Sequence, residues 1–199
     1  MSYWKFVATG CVLGLFIEAE FRLLGRFNPG AMCFAMVCYP MFVSLAYLGS
    51  RLIDRFVRHQ FAGDLLHYFS CGLFGLAVEW TLLGNSPWGN PKAVQSAMFC
   101  MWAAFCFGPR VLLRNAEQRW LLRKLIWWLL AGYGVVSIGV AIAIRDPQQR
   151  FVVILLSTMA VYFVINILLA LLAIQSWRHS RRLEASAASE DLDQGLSGP

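Results

Sequence analysis

FVVILLSTMAVYFVINILLALLAIQS, residues 151–176, carries no charged side chain and is apolar nearly all round a helical wheel. A helix of that kind is either buried in a large protein or spans a bilayer. The whole chain decides between the two. It has 199 residues, 59% hydrophobic and 14% charged, whereas soluble domains carry about 25% charged and about 45–50% apolar residues. A soluble core of this size cannot hide so much apolar surface. A soluble bundle would also need a polar face on each helix, and the long apolar segments lack one.

Five further stretches resemble the first, at 6–24, 30–49, 63–83, 92–109 and 125–144. Each is long enough for a hydrocarbon core of about 30 Å, which takes about 20 residues. The expected fold class is therefore all-α, a polytopic membrane helix bundle of six transmembrane helices over residues 1–182. A small, polar, acidic segment follows at 183–199, LEASAASEDLDQGLSGP, expected to be a disordered cytoplasmic tail because it has too little apolar area to order itself. The first stretch is expected to be a retained helix rather than a signal peptide, because Glu18, Glu20 and Arg22 stand where a small-residue cleavage site would lie.

Basic residues orient the bundle. Lys5 and the clusters at 51–58, 110–124 and 178–182 share one side; Arg22, Arg26, Lys92, Arg145 and Arg150 are the sparser set on the other. Both termini are then cytoplasmic. The net charge of +6 is mainly a topology signal, satisfied by anionic lipid and implying no nucleic acid. The expected location is a bacterial inner (plasma) membrane, with a eukaryotic internal membrane as the second choice. Two basic segments, RLIDRFVRHQF and RVLLRNAEQRWLLRK, mix Leu, aromatic and Arg residues. They read either as short interfacial helices or as plain extensions of the spans.

The six cysteines all fall within predicted spans with no CxxC pair, and only His67 lies at membrane depth. Small apolar filler explains the thiols, and a bis-histidine haem lacks its second ligand, so no metal or cofactor is expected. Pro40 interrupts the second span and should kink it. Most tryptophans mark span ends, as in any interfacial belt; Trp102 alone sits deep.

Charged side chains within the bilayer are the informative exceptions, costing about 2.5–3.5 kcal/mol at its centre. Gly10, Gly14, Glu18 and Arg22 recur every four residues; Tyr68, Gly72, Gly75 and Glu79 share a face of the third span. Glycines let helices approach closely in lipid, so each glutamate continues a small-residue stripe at similar depth near the outer side. The simplest packing sets these stripes against neighbouring helices or each other, with both carboxylates inward. Arg22 answers Glu18 four residues on, but Glu79 has no such partner on its own helix. Glu20 lies about 200° from Glu18 on the wheel and is expected to reach the outer interface. Tyr39, Asn85, Gln95, Tyr162 and Asn166 complete the polar residues that could line the same interior, the last two also being ordinary helix glue.

Three functions follow. The first is an outward-facing pocket lined by intramembrane carboxylates, binding or transporting a small molecule, lipid or proton. The second is a membrane-embedded enzyme acting on a lipid or isoprenoid-like substrate by carboxylate acid/base chemistry. The third is a non-catalytic accessory subunit. Besides the lipid bilayer and such a ligand, a homodimer or a membrane partner subunit are the partners left open.

Overall fold

The computed structural model describes residues 1–25, 27–85, 88, 92–114 and 120–196. Arg26, Arg119 and most of the turn at 86–91 lie outside them, as do the side chains of the acidic tail residues. Among the described residues the regular elements are helices, with no strand: α1 (Tyr3–Ala19), a π-helical turn (Glu20–Gly25), α2 (Pro29–Phe56), α3 (Gln60–Thr81), α4 (Lys92–Leu113), α5 (Trp120–Ala143) and α6 (Pro147–Leu196). Five helices, α2 to α6, have the length and apolarity to cross a membrane. The sixth expected span, α1, is 17 residues long and is carried further by the π turn. The apolar run of α6 is 151–176, and its backbone remains helical to Leu196 through the stretch expected as a tail.

Local chemistry sets the helix starts. Asn28 Oδ1 accepts from Ala31 N at 3.0 Å, with Pro29 at the first helical position of α2. Asp146 Oδ1 accepts from Gln148 N and Gln149 N at 2.7 and 2.9 Å, with Pro147 opening α6. These side chains satisfy donors that a helix start leaves orphaned, and proline there sacrifices no hydrogen bond. Of the two basic segments, 51–56 is a plain extension of α2 and 110–113 of α4, while 60–61 and 120–124 open α3 and α5; residues 115–119 lie outside the described residues.

The surface is apolar: Val37, Leu48, Val135, Ile142 and Leu156 are each more than half exposed. Such a girdle suits lipid and would be a liability in water. Inside, Phe6, Leu13, Ile17, Val43, Phe105, Ile165 and Leu169 form the core. α4 is its centre, packing on α1, α2, α3 and α6.

Glycines explain how α4 comes so close. A Cβ at Gly10 would fall 2.8 Å from the Phe105 carbonyl oxygen and 2.5 Å from Val43. That carbonyl is the one Pro109 deprives of its usual i+4 donor, since proline has no N–H. α4 nevertheless continues through Pro109 to Leu113. Gly14 meets Tyr39 and Phe105; Gly72 and Gly75 meet Phe99 and Trp102. The two glycine stripes therefore do not face each other. Both receive side chains of α4, and α1 also receives α2.

Candidate functional site

At one end of the bundle, Glu18 and Glu79 line a single cavity of about 280 Å³. Arg22, Tyr39, Cys38, Phe34, Phe42, Leu82, Leu83 and Trp102 complete much of its wall. The carboxylates come from α1 and α3; α2 and α4 supply what stands between them.

Each carboxylate is held differently. Glu18 accepts from Arg22 Nε at 2.9 Å through Oε2, and from Tyr39 Oη at 2.9 Å through Oε1. The Arg22 pair is the expected i,i+4 contact, with Glu18 19% and Arg22 42% exposed. Glu79 accepts from Trp102 Nε1 at 3.0 Å and from Asn85 Nδ2 at 2.6 Å. Both are neutral donors, and no Lys or Arg pairs with Glu79 among the described residues. Arg22 therefore balances Glu18, while Glu79 leaves the cavity one negative charge in excess when ionised.

The Asn85 contact is built by the end of α3. Gly84 has φ +71°, in the left-handed region that glycine adopts without Cβ strain. The chain folds back there, and Asn85 N donates to the Glu79 carbonyl at 2.9 Å. Asn85 thus grips Glu79 by backbone and side chain together. On the far side, Tyr39 and Trp102 meet edge to face with ring centroids 6.3 Å apart. A continuous wall runs Glu18–Tyr39–Trp102–Glu79.

Other expected pocket residues lie elsewhere. Gln95 Oε1 accepts from Trp80 Nε1 at 2.8 Å, tying α4 to α3 beside the cavity rather than lining it. Tyr162 is fully buried and donates to the Leu13 carbonyl at 2.6 Å. Asn166 Nδ2 donates to the Cys100 and Tyr162 carbonyls at 2.9 and 2.7 Å. These two residues join α6 to α1 and α4, the helix-glue arrangement.

Glu20 departs most from expectation. It is 5% exposed rather than at the interface. The π turn that carries it, whose side the wheel assigned to the outside, is packed on by α5 and α6. Gly134 on α5 leaves it room: a Cβ there would sit 3.6 Å from Glu20 Oε1. Glu20 Oε2 and Ser137 Oγ make no hydrogen bond of normal geometry among the described residues, but the Ser137 hydroxyl stands close enough to the carboxylate to act on its charge.

No family model, no curated protein and no solved structure matches the chain.

A second polar centre escaped the sequence reading. Arg110, 2% exposed, donates through Nε to Asp64 Oδ1 at 2.8 Å, through Nη1 to the Ser50 carbonyl at 3.1 Å, and through Nη2 to Asp54 Oδ1 at 2.6 Å. Arg114 forks onto both oxygens of Asp64 at 2.6 and 2.9 Å. Along α3, Asp64 and Glu79 are fifteen residues apart, about 22 Å of helix rise, so the two centres mark opposite ends of the bundle. The available signal was Asp64 just inside the third span and Arg110 at the end of the fourth.

Proposed function

We propose that this chain is a six-span membrane protein with cytoplasmic termini, α1 being the sixth span. Its outward-facing cavity binds an apolar small molecule or lipid bearing a cationic headgroup. One observation carries the reading: Glu79 faces a largely apolar cavity with only neutral hydrogen-bond donors around it. A carboxylate in such surroundings has its lone pairs met but its charge unanswered, and an ammonium group would answer it. The aromatic walls, Phe34, Phe42, Tyr39 and Trp102, suit an apolar body and favour a cation near their faces. Phe34 and Leu82 are more than half exposed, which supports entry sideways from lipid. Release of the same ligand on the other side of the membrane would make the protein a transporter, and a bacterial inner membrane is the setting we favour.

The test is saturable binding, in lipid nanodiscs, of a phenylalkyl trimethylammonium cation against a phenylalkyl sulfonate of equal length. The expected result is binding of the cation alone, weakened about tenfold or more in Glu79→Gln, the loss of one part-buried coulombic contact. Equal binding of both ions, or wild-type affinity in Glu79→Gln, would overturn it.

A further inference from the structure

We propose that the opposite end of the bundle holds a separate site for a phosphate group, one fitted to the headgroup of an anionic lipid. A cavity of about 330 Å³ opens there, lined by Met1, Arg51, Asp54, Arg110, Leu113 and Arg114. It joins three guanidinium groups, from α2, α4 and the residue that follows α4.

The charges do not cancel. Asp64, buried behind the cavity, takes both groups of Arg114 and one of Arg110, and Asp54 takes another of Arg110. Arg51 makes no side-chain hydrogen bond or ion pair among the described residues. Three guanidinium groups therefore stand against two carboxylates, and Arg51 supplies the charge left over.

The site is also rigid where it matters. Arg110 is fixed by four of its five N–H donors, two of them on Ser50. Arg114 is fixed by its fork on Asp64 and is 23% exposed on its side chain. A positive wall held in place this way loses little freedom when an anion arrives, and guanidinium is the side chain best matched to phosphate oxygens. Asp54 remains 49% exposed at the rim and would accept from a headgroup hydroxyl or ammonium. This end also carries the chain's basic clusters, the side that the charge bias assigns to the cytoplasmic leaflet, where anionic lipid is concentrated.

The experiment uses the full chain purified in a nonionic detergent. Dihexanoyl phosphatidylglycerol and inorganic phosphate are titrated separately against wild type, Arg51→Gln and Arg178→Gln. Arg178 is exposed on α6 and lies away from the cavity lining. The expected result is saturable binding of the lipid with one site per chain. Arg51→Gln should weaken it about tenfold, as befits one charged contact, and Arg178→Gln should leave it unchanged. Phosphate that displaces the lipid only at far higher concentration places the ligand in the membrane; phosphate that binds as tightly keeps the site but makes its ligand soluble. The proposal is overturned if neither probe saturates, or if Arg178→Gln weakens binding as much as Arg51→Gln, which is the behaviour of diffuse surface charge.

Discussion

The indole of Trp102 rests directly on the backbone of Gly75: a Cβ there would fall 2.0 Å from Trp102 Cγ. The same indole donates its N–H to Glu79, one turn further along α3. Packing and cavity chemistry are therefore one feature. Gly75→Ala must push Trp102 away, and overpacking of this kind typically costs about 1–3 kcal/mol, occasionally more. It should lower stability in a detergent unfolding titration and also weaken ligand binding. Gly132→Ala, where a Cβ would meet nothing within 4 Å, should do neither. Equal effects from the two substitutions would contradict this account of α3 and α4.

Gly84 offers a cleaner separation of conformation from packing. Its φ is +71°, and a Cβ there would meet nothing within 4 Å. Alanine therefore costs only the left-handed conformation, about 1 kcal/mol. Asparagine tolerates that region better. The expected order of thermal stability is Gly84, then Gly84→Asn, then Gly84→Ala. Because Asn85 reaches Glu79 through this turn, cation binding should fall in the same order.

The elements were legible in the sequence to a degree the contacts were not. Long apolar runs fix where helices lie, since backbone groups in lipid must be satisfied within the segment. The similar depth of Glu18 and Glu79 is readable from where each falls in its span, and the face each takes from the glycine spacing on α1 and α3. Which helix fills those glycines is not. A small-residue stripe announces a close neighbour without naming it, and only the fold shows Phe99, Trp102 and Phe105 of α4 to be that neighbour. Glu20 was misplaced for a related reason. The wheel separates it correctly from Glu18, but the far face of a helix is outside only if nothing packs there, and α5 and α6 do. Asp64 and Arg110 each sit at a span end, where a charge alone carries no signal. Their meaning lies in the pair.

That pair supports a strong prediction. Asp64 receives two arginines, and with Arg110 it is almost wholly buried, both side chains being 3% exposed. Asp64→Asn keeps the shape but leaves Arg110 and Arg114 without their main counter-charge. Removing one partner of a buried ion pair typically costs about 3–5 kcal/mol. The variant should unfold at markedly lower denaturant than Arg51→Gln, whose side chain makes no ionic contact among the described residues. Near-equal midpoints would mean that water or lipid already solvates Arg110.

Glu20 gives the opposite expectation. Its Oε2 is buried without a hydrogen bond of normal geometry among the described residues, with the Ser137 hydroxyl as a poorly placed donor beside the carboxylate. An unmet buried acceptor costs about 1–3 kcal/mol. Glu20→Gln keeps the shape, removes any charge, and turns one oxygen into a donor that Ser137 can accept. Its midpoint in the unfolding titration should match or exceed wild type. Glu20→Ala should fall below both, because it leaves a void lined by Phe16 and Gly134. A Glu20→Gln protein clearly less stable than wild type would instead show that the contact of the carboxylate with the Ser137 hydroxyl stabilises the fold.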